Sequence, residues 1–416
     1  MVFPTRDVKA CYACASAKRR CTKRLPRCQR CETRKLNCVY ETRPRFIIYQ
    51  DQPQGLEQPY PATDDRCFTE NNDYPDGSSE CYDNGTALMP AAPYMYDYMN
   101  WWPRPIGPVD ASLNDLESAW FLTPETWNIV PLNADALAPV NIAVLHGYLS
   151  KAQSWLREWA STGSNPFIHS ELYSKSMPAC VQDAYMVLSM YLSKTDKNRD
   201  LVLRLMQDKA EAFVSLEQAK TPDNLVDQIG RVHALLVYTI MRLFDGDIRQ
   251  RHLAEKHLPT LVSWAEALRE RATNATGANS LLLDNPLTHD KGANGLPEGK
   301  YPKSAEGILW NAWILSESIR RTWYISRLVS SGYHLMKTGA VVCPGTIPIT
   351  TRKGVWQSKT ASSWLKACAE KSVGFANRNE TEALIGVGKA EEVDKFTLAL
   401  MELDFGTDRI EEWKRT

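Results

Sequence analysis

No apolar run in these 416 residues reaches 18, about the length a membrane-spanning helix needs. The longest candidate, His233 to Phe244, is interrupted by Arg242. The opening MVFPTRDVKA carries charges and a proline where a signal peptide needs an apolar core, so a soluble intracellular chain is expected. Catalytic groupings are missing too. There is no H-E-x-x-H, no G-x-S-x-G, no P-loop and no G-x-G-x-x-G following a strand. The seven histidines are dispersed, and His252 and His257 are five apart, which puts them on different faces of a helix. Gly386-x-Gly388-Lys389 lacks the length and preceding strand of a nucleotide loop and reads as a turn. The expectation is a chain that is not an enzyme. Strand-like β-branched runs are nearly absent outside Val341–Thr351.

Net charge is missing as well, 49 basic side chains against 49 acidic, but the balance hides a segregation. Residues 1–45 hold thirteen Lys and Arg and only Asp7, Glu32 and Glu41, a formal +10, so the remainder carries −10. Such separation is the electrostatic footprint of a nucleic-acid-binding end. From 46 to 100 the sign reverses, with ten acidic residues against Arg66.

What is present in that basic end is cysteine. Cys11, Cys14, Cys21, Cys28, Cys31 and Cys38 read C-x2-C-x6-C, six residues, then C-x2-C-x6-C again. Zinc held by thiolates takes four ligands in a tetrahedron, so two ions need eight sulfur contacts. Six cysteines supply eight only if two of them bridge. The repeat therefore predicts a compact cluster of two Zn(II) per chain, with all six cysteines as ligands. Six thiolates and two Zn(II) sum to about −2, which the surrounding basic residues more than reverse. A disulfide framework would use the same cysteines only in a secreted chain. A zinc site that is purely structural or binds protein would leave Lys18-Arg19-Arg20 and Lys23-Arg24 idle. The remaining cysteines (Cys67, Cys81, Cys180, Cys343, Cys368) show no ligand spacing.

Cys11 to Cys38 resembles the binuclear zinc cluster domain of fungal transcription regulators. The likeness includes Lys18 three positions before the third cysteine, Arg20 directly before it, and Pro26 ahead of the fourth. It implies that Cys11 and Cys28 bridge the metals, that each C-x2-C begins a short helix, and that the first helix enters the major groove. Lys18 would then read a G-rich triplet, typically CGG, with Arg19 or Arg20 near the backbone and Lys23, Arg24, Arg43 and Arg45 adding cationic contacts. Lys or Arg donating to guanine O6 and N7 is the commonest direct readout. The basic run would also serve nuclear import, so a nuclear location is expected.

The rest of the chain is long enough for one further sizeable domain. The fold expected is a small zinc-cluster domain over 1–45, with two short helices around two Zn, followed by a disordered acidic linker and an all-α regulatory domain. The Pro- and Tyr-rich linker spans 46–109. Its stretch Tyr94–Trp102 mixes aromatics with acid and amide and reads as a spacer or as an activation segment for coactivators. Pro44 and Pro53 interrupt the place where related regulators carry a dimerising coiled coil, and Phe46–Tyr49 form a clump rather than an a/d seam. A homodimer would have to form another way. In 110–416 the 3.6-residue period marks helices over Ala136–Ala160, Val181–Leu192, Asp200–Leu216, Asn224–Phe244 and Leu253–Arg271, with Asp200 and Asn224 as N-caps. A turn-rich insertion follows near 273–303.

Trp310–Lys337 reads as one long helix, with Trp310, Trp313, Ile314 and Glu317 on one face. It is similar to the central helix of regulatory domains in short zinc-cluster regulators, many tied to secondary-metabolite gene clusters. Glu317 is expected to pair with Arg320 or Arg321. The functional expectation is a sequence-specific DNA-binding regulator at RNA polymerase II promoters, with double-stranded DNA and coactivators or corepressors as partners. The alternative is a zinc-dependent protein-interaction adaptor or corepressor without direct DNA readout.

Overall fold

The computed structural model describes residues 10–22, 28–36, 46–48, 119–132, 142–275 and 305–416. Two short helices, α1 (Tyr12–Ser16) and α2 (Gln29–Thr33), carry the N-terminal cysteines. The helical body comprises α3 (Ile142–Thr162), α4 (Ala179–Leu192), α5 (Arg199–Gln218), α6 (Leu225–Phe244), α7 (Ile248–Glu255), α8 (Leu258–Ala275) and α9 (Ala305–Thr338). Smaller helices close the chain: α10 (Ala361–Glu370), α11 (Glu382–Val387), α12 (Lys395–Phe405) and α13 (Thr407–Trp413). No described helix is long and apolar enough to cross a membrane.

α6 is the hub. It is buried along nearly its whole length, including Gln228, Arg231, His233 and Arg242, as a helix surrounded by others must be. α4 and α8 flank it, and α9 lies across α8 and α6. At 34 residues α9 runs about 51 Å, and Trp313, Ile314, Ile319, Trp323, Tyr324 and Ile325 on it are fully buried. Side-chain caps start several helices: Asn224 Oδ1 accepts from Asp227 N at 2.8 Å, Asp247 Oδ1 from Gln250 N at 2.9 Å, and Asp394 Oδ1 from Thr397 N at 2.7 Å. Thr360 and Ser363 form a reciprocal capping box on α10.

Ion pairs are buried with the apolar side chains. Arg321 donates through Nε to Glu317 Oε1 at 2.8 Å, through Nη2 to Asp394 and to Thr350 O at 2.8 Å, and through Nη1 to Pro166 O at 3.0 Å. Its guanidinium lies 4.2 Å from the centre of the Trp356 ring. Arg321 is thus the partner of Glu317, whereas Arg320 turns the other way, 3.9 Å over Trp127, with Nη2 on Phe121 O and Thr126 Oγ1. Arg378 and Asp404 form a second buried pair.

Several expectations need correction. The body is largely helical but carries short strands. β1 (Phe46–Ile48) pairs antiparallel with β2 (Ala340–Val342), Phe46 opposite Val342 and Ile48 opposite Ala340. β3 (Ile349–Thr350) pairs with β4 (Phe375–Ala376). Residues 46–48, read as the start of a linker, are therefore a strand. Their clump of β-branched and aromatic residues has β-propensity, and an exposed edge at the end of α9 supplies the partner. The helix expected over Leu253–Arg271 is two helices broken at Lys256–His257. Asp200 lies in the first turn of α5 and Asn198 holds the N-cap position. Gly386 falls inside α11, with Gly388 as its C-cap. The linker from 49 to 109, Tyr94–Trp102 and the insertion around 276–303 lie outside the described residues.

Candidate metal centre and DNA-reading surface

The two halves of the cysteine repeat fold alike. Cys11 and Cys28 sit in extended backbone (φ −60°, ψ 153° and φ −72°, ψ 149°) immediately before α1 and α2. Each helix lasts one turn or so, which returns the second cysteine to the same side as the first. Each ends on a lysine in the left-handed region, Lys18 at φ 48° and Lys35 at φ 51°. Arg19 N and Leu36 N then donate back to Cys14 O and Cys31 O, both at 2.9 Å, closing the helix ends. Lys18 and Lys35 both stand seven residues after the cysteine that opens their half.

This double turn gathers sulfur. Cys11, Cys14, Cys28 and Cys31 are fully buried, and the ligand atoms of Cys11, Cys14, Cys21 and Cys28 all lie within 4.8 Å of one another. Cys11 Sγ is 3.7 Å from both Cys28 Sγ and Cys31 Sγ, and Cys14 Sγ is 3.6 Å from Cys28 Sγ. All five described cluster cysteines are free of disulfides. Four sulfurs about 2.3 Å from a tetrahedral zinc stand about 3.8 Å apart, so the observed separations fit thiolates grouped around metal. Cys11 and Cys28 meet each other, and each also meets the second cysteine of the opposite half.

The cluster's electrostatics favour ligation. The Cys31 N–H, 3.4 Å from Cys28 Sγ, is the main influence holding that thiol down at about 6, so the ligating thiolate is available at neutral pH. Burial pushes the Cys11 thiol up, and its thiolate needs the metal's positive charge. Arg30 on α2 reaches across to α1, with Nη1 donating to Ala13 O at 3.3 Å and to Cys14 Sγ at 3.6 Å. This bond joins the two halves and offsets thiolate charge. Sequence reasoning missed it, although a base between Cys28 and Cys31 was there to be read.

Of the expected DNA contacts, Lys18, Arg19 and Arg20 are exposed at the end of α1, and none has a side-chain partner among the described residues. Lys23, Arg24, Arg43, Arg45 and the sixth ligand Cys38 lie outside those residues.

The geometry defines a buried cluster of thiols suited to holding metal, with an exposed basic edge at the end of α1. Residues 9–45 match the fungal Zn(2)-Cys(6) binuclear cluster domain, a domain that binds two zinc ions, and this chain carries it at its N-terminus. The chain is also similar to transcription factor gsfR2 of Penicillium aethiopicum, at 26% identity over 421 residues, covering 97% of this chain and 94% of that protein. No solved structure matches.

Proposed function

We propose that the protein is a sequence-specific, nuclear regulator acting at RNA polymerase II promoters, reading CGG-like triplets in the major groove. The observation that carries this is the three-residue cationic edge Lys18-Arg19-Arg20, exposed and without a side-chain partner among the described residues, at the end of a helix whose base is the buried sulfur cluster. Cys11, Cys14, Cys21, Cys28, Cys31 and Cys38 would hold the two zinc ions, with Cys11 and Cys28 shared. The zinc supplies the cross-link that a segment this small cannot obtain from apolar burial. The left-handed turn at Lys18 ends α1, and from there the lysine would donate to guanine O6 and N7. Arg19 and Arg20, with Lys23, Arg24, Arg43 and Arg45, would hold the phosphates and fix the register. We assign 1–45 as the DNA-binding unit, 46–109 as linker and 110–416 as regulatory domain. The likeness of Trp310–Lys337 to regulators of secondary-metabolite gene clusters makes such a cluster the proposed target.

The test is selection from random oligonucleotides with the full-length, zinc-loaded protein. Enrichment of CGG-like triplets is expected. Lys18→Ala should flatten the preference, since a good base contact is worth about 1–3 kcal/mol of discrimination. Chelation should abolish binding while the helical body keeps its circular dichroism. No enriched sequence would favour the adaptor reading, and a uniform loss across sequences for Lys18→Ala would make Lys18 a phosphate contact instead.

A further inference from the structure

A groove of about 480 Å³ opens between α3, the end of α6 and the last turns of α9. Its floor is apolar: Leu149, Leu243 and Tyr333 are buried, with Phe244 and Met336 half-buried. Gly332 shapes this floor, because a Cβ there would stand 3.0 Å from Leu145 Cδ1 and hold α3 away from α9. Every ionisable side chain on the rim is basic or neutral, namely His146, Arg251 and Lys337, and no carboxylate lines the groove. Glu255 lies behind the wall and accepts from the Tyr333 hydroxyl and from Lys337 Nζ at 2.5 Å, which fixes both side chains. Arg251 is exposed, and its guanidinium makes no hydrogen bond or ion pair among the described residues.

We propose that this groove binds a small amphipathic organic carboxylate, its apolar body on the Leu149–Leu243–Tyr333 floor and its carboxylate on Arg251. The volume falls in the range of small-molecule sites, about 300–1,000 Å³. A guanidinium free of internal partners offers a carboxylate two parallel N–H bonds, which a neutral or cationic ligand cannot use. Lys337 stands at the same rim with its charge met by Glu255, which leaves Arg251 as the unpaired cation, and Ser150 and Gln153 border the mouth. The site adjoins the DNA-binding arm, since Lys337 is three residues before Ala340, where β2 begins to pair with β1.

The test uses the full-length zinc-loaded protein and isothermal titration with three ten-carbon probes: decanoate, 1-decanol and decyltrimethylammonium. Decanoate should bind at one per chain, with 1-decanol at least about ten-fold weaker and the cation not binding, as one charge-assisted contact implies. Arg251→Glu should weaken decanoate at least about ten-fold by the same reasoning, without altering the melting temperature of the ligand-free protein. Ser150→Trp should block the mouth and abolish binding. Equal binding of all three probes, unchanged decanoate affinity in Arg251→Glu, or no decanoate binding at millimolar concentration would each overturn the assignment.

Discussion

Two buried histidines should together cost the helical body about 4 kcal/mol as the pH is lowered from 7 to 5. His233 is fully buried on α6, with Nδ1 2.7 Å from the Tyr173 hydroxyl and Nε2 2.6 Å from Thr322 Oγ1. Burial holds its pKa down at about 3. His169 is nearly as enclosed, edge-on to Trp310, Trp313 and Trp356, with Nδ1 accepting from Glu171 N at 3.1 Å. Burial, and then the charge of Arg321, hold it at about 3 as well. Both are bases that are harder to protonate folded than unfolded, where the pKa is about 6.5. The unfolded chain therefore binds the extra protons, and stability is complete above about pH 6.5 and falls as pH drops towards 3. Each unit of that fall costs about 1.36 kcal/mol per histidine. Between pH 7 and 5 this gives about 1.9 kcal/mol for each, before ordinary carboxylates titrate appreciably. The assay is urea unfolding followed by tryptophan fluorescence at a series of pH values. His233→Gln should remove about 1.9 kcal/mol of the loss between pH 7 and 5 whatever its own effect on stability at pH 7. A loss under about 1 kcal/mol between pH 7 and 5, or an unchanged slope in His233→Gln, would refute the reasoning.

Arg321→Met should cost about 3–5 kcal/mol, because Glu317 and Asp394 would stay buried without their shared cation; calorimetry or denaturant unfolding measures it, and a cost below about 1 kcal/mol would show that these carboxylates are solvated. Gly345→Ala should destabilise by about 1–3 kcal/mol. The glycine has φ 81°, and a Cβ there would meet Ile129 Cγ2 at 2.5 Å and Val130 O at 3.0 Å, beside the Val130–Thr346 bridge. Unfolding midpoints of the two proteins compare it directly.

The cysteine repeat was legible because metal ligation is a local, arithmetic constraint: spacing of two and six residues fixes the turns, and charge marks the face. α9 was legible for a related reason, since thirty residues of one period leave little choice. What escaped the sequence depended on partners distant along the chain. Phe46–Ile48 became a strand only because Ala340–Val342 offered an edge. Arg320 and Arg321, adjacent in sequence, have separate environments decided by Phe121, Thr126 and Asp394, far from them along the chain. The break between α7 and α8 does carry a local signal: Pro259, the second residue of α8, has no N–H to offer the Glu255 carbonyl and suits the first turn of a new helix. His257 N bonds back to Ala254 O at 3.0 Å and the chain turns there, while Gln250 is drawn to Leu203 O at 3.2 Å and Arg242 Nε donates to Gln250 Oε1 at 3.0 Å. Pro259 and the buried Arg242–Gln250 bond thus accompany a helix boundary that periodicity alone ran through.

The β1–β2 pair changes how the two ends of the protein relate. Seven residues separate Cys38 from Phe46, so even a fully extended chain keeps the last cysteine within about 28 Å of the start of β1. Had 46–48 been free chain, the metal cluster would hang from the helical body by a tether reaching to residue 119. With the strand paired, the cysteine cluster is joined to the helical body first at Phe46–Ile48, ahead of the acidic stretch of sequence. Three residue pairs in a two-stranded sheet are weak by themselves. Their stability comes from Val341, which packs against the main core on the β2 side. Anything that moves the end of α9 therefore bears first on this pairing.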